Sequence, residues 1–251
     1  MSGHQLNLKA RLSRLAFQTL YGRKGYPVEI AGMGFRICPS LRRWDFASER
    51  VVFDVLKETL SEGSLFVDVG ANFGMHSLVA SRLVGPNGKV VAFEPVVRNL
   101  NLISRNLEFN RFHGRVEIVA GAVSDLDTAT VCFSVDESEC AVGSAITDKS
   151  AGISVANHRL DDVELCYSRR FDLLKIDVEG AELKVLRSAE HILSQYSPVV
   201  AVEVHPGMMA SFDTSVDSLV SFMEKCGYSG RRLPGGIKEA YHMVFTKTSE
   251  L

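Results

Sequence analysis

The chain has 251 residues, 46% of them hydrophobic, with 28 basic and 30 acidic side chains and a formal net charge of −2. That length holds one large domain, or a domain with an extension, around a sizeable core. The near-neutral balance supplies no broad positive field for nucleic acid or an anionic membrane, and no apolar run approaches the roughly 20 residues that span a bilayer.

In chain order, Leu6, Leu8, Leu12, Leu15 and Leu20 recur with partly helical spacing among Lys9, Arg11 and Arg14, the pattern of a basic amphipathic helix packed on its own domain. VEIAGMGFRIC, Val28 to Cys38, reads as a hairpin turning at Gly32-Met33-Gly34. Ser48 to Leu60 reads as a helix capped by Ser48, with Val52, Val55, Leu56 and Leu60 on one face. Residues 1–62 are thus expected to form a helix-and-hairpin extension that covers the substrate side of a main domain, residues 63–251. From Leu65 onward apolar strands (Leu65–Val69, Val90–Phe93, Val116–Val119, Leu173–Val178, Val199–Val204) alternate with helices (Met75–Leu83, Val96–Asn110, Ala181–Gln195, Val216–Cys226). Continuous apolar strands interleaved with helices imply a parallel sheet covered on both faces. Thr128 to Asn157 interrupts the alternation as a β excursion. Tyr228–Leu233 and Tyr241–Thr246, joined through Pro234-Gly235-Gly236, read as a terminal antiparallel hairpin. The five cysteines, Cys38, Cys132, Cys140, Cys166 and Cys226, form no CxxC spacing, and the start of the chain lacks a signal-peptide pattern. A reduced, cytoplasmic setting is the expectation.

Ligands of such sheets sit beyond the C-terminal strand ends. The first strand runs into DVGANFG, Asp68 to Gly74, and the second ends in the carboxylate of Glu94. A strand, turn, helix, strand and acid unit is suited to a ribose. The turn carries only Gly70 and Gly74 around Asn72, so the three-glycine pyrophosphate cradle is missing, as is a triphosphate-binding GxxxxGK[ST]. Asp68 would repel a phosphate and attract a cation. S-adenosylmethionine has the required ribose, positive charge and lack of phosphate. At the third strand end, Ser124 and Asp125 are candidates to flank adenine. The fourth gives FDLLKIDVEGAE, crowding Lys175, Asp177, Glu179 and Glu182 together. The helix macrodipole alone accounts for acids at a helix start, but not for Asp177. Asp177 is a candidate general base or metal ligand, with Lys175 paired to one of these acids. His205, after the fifth strand, is a second candidate base. Glu203 is read as facing the opposite side, structural or metal-linked, and His76 is a weaker candidate.

DVGANFG, AFEP at Ala92–Pro95, AVSD at Ala122–Asp125 and KIDVEGAE at Lys175–Glu182 together resemble the FkbM family of S-adenosylmethionine-dependent methyltransferases, over roughly Glu49 to His205. The resemblance implies a Rossmann-like, seven-stranded α/β sheet with helices on both faces. It implies O-methylation of sugar or natural-product hydroxyls. It supports cofactor roles for Asp68, Gly70, Asn72 and Glu94, with Gly74 in the same turn, and active-site placement for Asp177 and Glu179. A small-molecule or glycan acceptor is expected, and no nucleic acid. A Mg²⁺ ion on Asp177 and Glu179 is the rival arrangement. It is not expected, because no third ligand stands out. A non-catalytic S-adenosylmethionine-binding protein is the other rival, one with little need of acids near Asp177.

Overall fold

A computed structural model describes residues 17, 19–136, 142–146, 152–163, 171–236 and 239–248. Most of the amphipathic pattern ending at Leu20, and Cys140 and Cys166, lie outside these residues. The chain opens with a hairpin of β1 (Tyr26–Ile30) and β2 (Met33–Ile37), paired antiparallel. Its turn is Ala31-Gly32, both at positive φ (56° and 78°), so Met33 and Gly34 belong to the strand rather than the turn. Two left-handed residues match the twist of a tight hairpin. Helix α1 (Arg50–Thr59) follows, and Glu49, not Ser48, occupies its N-cap. The Ser48 hydroxyl instead donates to the Asp45 carbonyl at 2.8 Å.

The main sheet has seven strands. It contains β3 (Leu65–Val69), β4 (Lys89–Glu94), β5 (Val116–Ala120), β10 (Leu173–Ile176), β11 (Val199–Val204), β12 (Tyr228–Arg232) and β13 (Tyr241–Lys247). Their spatial order is β12-β13-β11-β10-β3-β4-β5. The five strands from β11 to β5 are parallel, and β12 and β13 are antiparallel at one edge. Every residue of β3 and of β10 is buried, as central parallel strands require. Helices α2 (Met75–Leu83) and α3 (Val97–Asn110) connect the β3–β5 half. On the other side α4 (Glu182–Arg187) and α5 (Glu190–Gln195) replace the single helix expected over Ala181–Gln195. The break falls at Ser188, whose hydroxyl turns back to the Val185 carbonyl at 2.7 Å. The short α6 (Pro206–Met209) and the capped α7 (Val216–Lys225) complete the layer.

The two sheet faces bury separate apolar clusters. One joins Phe66, Leu78 and Ile103 to Ile30, Phe35, Phe53 and Leu56, so the hairpin and α1 share a core with the sheet. The other joins Leu65, Val67 and Phe93 to Leu186, Ile192, Leu219 and Met223. Fully buried Asn106 stitches the first layer. It accepts from the Cys38 amide at 2.7 Å and donates to the Phe73 carbonyl at 2.9 Å, tying the hairpin exit to the glycine turn. The β excursion forms a second sheet of order β6-β9-β7-β8, made of β6 (Ala122–Val123), β7 (Thr130–Asp136), β8 (Val142–Ile146) and β9 (Ile153–His158). It stands at the C-terminal ends of β4 and β5. Among the described residues, no helix is long and apolar enough to cross a membrane.

β3 leads to β4 on one side, while its other neighbour, β10, comes from far along the chain. That reversal opens a crevice between the ends of β3 and β10. Gly70 sits there at φ 78°, and a Cβ on it would overlap the Asp177 carbonyl. Gly32 also has φ 78°, but faces open space. Gly32→Ala is expected to lower stability by about 1–2 kcal/mol, the backbone penalty alone. Gly70→Ala should lose more, because the β3 and β10 ends must part. Denaturant melts that rank the two equally would contradict the close approach.

Candidate active site

The crevice is a cleft with three sides. Val69, Gly70 and Asn72 form its floor, Phe93, Glu94 and Asn99 one wall, and Ala122, Val123 and Phe133 a second. Asp177, Val178 and Glu179 lie at its end. Neither Lys nor Arg is among the lining residues, so the cleft suits a nucleoside without phosphate.

Glu94 is 4% exposed. Its carboxylate accepts from the backbone of Asn72 and Val96, each at 2.8 Å, and from the Asn99 side chain at 3.2 Å. These donors take three of roughly four acceptor positions and leave one open. Burial pushes its pKa up to about 7 against those hydrogen bonds. Asn72 reaches Glu94 from a left-handed backbone, φ 54°, a conformation asparagine tolerates. Gly74 caps α2 from φ 82°.

Asp68, fully buried, accepts from the Ser77 hydroxyl at 2.7 Å. Beside it Lys175, 4% exposed, donates to the Gly70 carbonyl at 3.0 Å and stands 3.2 Å from Asp68 and 3.4 Å from Asp177. It therefore pairs with two acids, not one. Burial opposes its charge, but Asp68 and Asp177 hold its pKa well above the ordinary lysine value.

Beyond Asp177 lies a second cluster. His205 directs Nδ1 to the fully buried Glu182 at 2.9 Å, and Nε2 stands 3.9 Å from Glu203. Glu203 thus shares a side with His205, contrary to its reading as an outward residue, because residues two apart in a strand face alike. Burial alone would lower the His205 pKa. The Glu182 hydrogen bond and the surrounding acids outweigh it and push the value up to about 9. His242 on β13 stands 3.6 Å from Glu203, and buried His76 stands 3.5 Å from Glu49. Burial pushes Glu49 up, but His76, Lys175 and His242 hold it at about 2. Burial and the Asp177 charge push Glu179 to about 7 and Glu203 to about 8. Glu179 also holds a left-handed backbone, φ 51°, which costs a non-glycine residue about 1–3 kcal/mol.

Of the residues singled out in the sequence, Asp177, Glu179 and His205 converge here, and Gly70, Asn72 and Glu94 line the cleft. Ser124 and Asp125 are not among the lining residues. Ser124 donates to the Asn157 side chain at 2.8 Å, and Asp125 stands 3.7 Å from Arg187. Glu49, Phe133 and His242 join the site with no local signal, since each arrives from a distant element, while Asn99 comes from the helix that directly follows Glu94. Glu182 and Glu203 had a signal in their spacing from Asp177 and His205.

These shifts make stability depend on pH. Glu94, Glu179 and Glu203 titrate higher in the folded chain than their ordinary 4.5, and His205 higher than 6.5. Each holds a proton that the unfolded chain releases, so each contribution is lost as pH rises through that window. The lowered His242 opposes them, and Glu49 acts only below 4.5. The melting temperature of the ligand-free protein is expected to fall as pH rises from about 5 to about 9, and Glu203→Gln should flatten the curve. A rise over that range by calorimetry would show that the charges are otherwise arranged.

Residues 68–229 match the family described as the methyltransferase FkbM domain. The chain is 30% identical over 162 residues to methyltransferase sdnD of Sordaria araneosa, covering 52% of this chain and 62% of that one. It is 28% identical over 167 residues to the hexuronic acid methyltransferase AglP of Haloferax volcanii, covering 65% of each. It therefore spans less than two thirds of these relatives' lengths. A Streptococcus mutans chain assigned as a methyltransferase and solved with S-adenosylhomocysteine shares the fold at a TM-score of 0.51 and 13% identity, covering 80% of this chain and 98% of that one. A seven-stranded sheet with a phosphate-free nucleoside cleft at its switch point, carrying this match over most of its length, places the chain in the FkbM family of S-adenosylmethionine-dependent methyltransferases.

Proposed function

We propose that this chain methylates a hydroxyl oxygen of a sugar or natural product, with S-adenosylmethionine as donor. The observation that carries the reading is the double position of Asp177. It lines the nucleoside cleft and also belongs to the acid–histidine cluster beyond it. S-adenosylmethionine, when bound, supplies a methyl group on a positive sulfur, which leaves as a neutral thioether when an oxygen attacks. Glu94 would hold the ribose. Its open acceptor position takes one hydroxyl, and the second displaces the Asn99 contact, the longest of the three at 3.2 Å. Phe93, Val123 and Phe133 offer apolar surface to the base.

Asp177 takes the proton of the acceptor hydroxyl as the new C–O bond forms. A positioned base contributes roughly 10²–10⁴-fold, and alignment of oxygen with the methyl group contributes ~7–11 kcal/mol. His205 lies between two carboxylates, hydrogen-bonded to Glu182 through Nδ1 at 2.9 Å and with Nε2 3.9 Å from Glu203. It is suited to hold an acceptor oxygen or Glu203 in place, and Asp177 remains the base. The sugar named for the Haloferax relative supports a carbohydrate acceptor.

Two variants separate cofactor binding from chemistry. Glu94→Ala should weaken S-adenosylmethionine binding at least tenfold by calorimetry, since charge-assisted hydrogen bonds are worth ~1.5–3 kcal/mol each. Asp177→Asn should bind normally yet lose about a hundredfold in kcat on a panel of hydroxylated glycosides. Wild-type turnover by Asp177→Asn would place the base elsewhere.

One observation favours a second reading. Ligand atoms of Asp177, Glu203 and His205 all lie within 4.8 Å of one another, a group that could hold a divalent cation. Beside Asp177 the group takes in Glu203 and His205, and Glu179 is not part of it. Lys175, already 3.4 Å from Asp177, supplies positive charge there without a metal. Activity is therefore expected to survive EDTA. Complete loss that added Mg²⁺ reverses would establish the metal-dependent mechanism.

A further inference from the structure

We infer that the acceptor site admits an uncharged or cationic hydroxyl compound and rejects an anionic one, an inference that rests on the methyl-transfer reading of the cleft. The charges around the cluster do not cancel. Lys175 is shared between Asp68 and Asp177, with Asp68 the nearer at 3.2 Å and fully buried. His205 is held closest by Glu182, at 2.9 Å and also fully buried. Two cations thus stand among five carboxylates, Asp68, Asp177, Glu182, Glu203 and Glu49. The carboxylates that keep contact with solvent are Asp177, Glu203 and Glu49, whose side chains are 29%, 22% and 21% exposed. Glu179 stands at the cleft end beside them.

The histidines facing this group do not reverse its sign. His242 sits 3.6 Å from Glu203, and burial lowers its affinity for a proton. His76 sits 3.5 Å from Glu49 and is 7% exposed. A carboxylate on the acceptor, as on a uronic acid, would add one more negative charge to this enclosure. A hydroxyl donates to these oxygens, and an ammonium pairs with them. Glu49 and His242 lie outside residues 68–229, the span shared with the family. The charge filter is therefore partly built from the flanking segments of this chain, and it separates this site from one suited to a hexuronic acid.

The local potential can be read directly, without knowing the acceptor. Two matched nitroxides, one carrying an amine and one a carboxylate, are added in turn to the metal-free protein, and relaxation of the His205 and His242 ring protons is measured by NMR. The cationic probe should relax them at least about threefold more than the anionic one, as a potential of order kT requires. The variant Glu49→Gln should bring the ratio toward one. A wild-type ratio below about threefold, or a preference for the anionic probe, overturns the inference. So does a preference that Mg²⁺ inverts, because the cluster would then recruit anions through a metal. Calorimetry with S-adenosylhomocysteine on the same sample tests the cofactor cleft separately. No binding there would remove the methyl-transfer reading, while the nitroxide ratio would still report the charge.

Discussion

A single buried ammonium organises the centre of this molecule. Lys175 and Asp68 are register partners on β10 and β3, flanked across the sheet by Ala201 on β11 and Ala92 on β4. Two alanines leave room for a long side chain to lie along the sheet beneath α2. From there the Lys175 amine reaches the Gly70 carbonyl, Asp68 and Asp177. Removing one partner of such a buried pair typically costs 3–5 kcal/mol, because the other charge is left unsolvated. The same contacts fix the glycine turn against the end of β10, where the Asp177 amide continues the ladder to Val69 at 3.1 Å. The shape of the cleft and the position of Asp177 thus rest on one network.

That network explains why the site carries so many acids without collapsing into repulsion. Asp68 is neutralised from within the sheet, and Glu182 is neutralised by His205 from the next strand end. Glu182 also accepts from the Gly180 amide at 2.9 Å, so it braces the loop that presents Glu179. The carboxylates that remain partly exposed are Asp177, Glu203 and Glu49. Glu94 stands apart, held by two backbone amides and Asn99 and kept from cations by burial.

The hairpin and α1 take part in the same arrangement. Their apolar side chains share the core of the α2–α3 layer, and Asn106 ties their exit to the glycine turn. Glu49, at the start of α1, brings a carboxylate to His76 on the far side of the cluster from the cofactor cleft. A segment that looked like a cover in the sequence therefore contributes charge to the site.

The five parallel strands, the helices between most of them, the terminal hairpin and the cleft acids were legible because each is a local pattern. Apolar runs of strand length, a glycine turn and a strand-end carboxylate need no knowledge of distant residues. The split of the helix at Ser188 and the cap of α1 at Glu49 were not, because each was set by local bonds, Ser188 to Val185 and Ser48 to Asp45, that propensity does not resolve. Glu49, Phe133 and His242 could not be placed from sequence at all. The sequence by itself determined that a glycine turn and a strand-end carboxylate lie together at the ends of β3 and β4, since strand, turn and acid follow one another within thirty residues or so of chain. Only the tertiary structure decided which acids pair with Lys175 and His205 and which stay partly exposed. Those outcomes depend on distances of 3–4 Å between residues far apart in the chain, and on burial that the folded sheet alone creates.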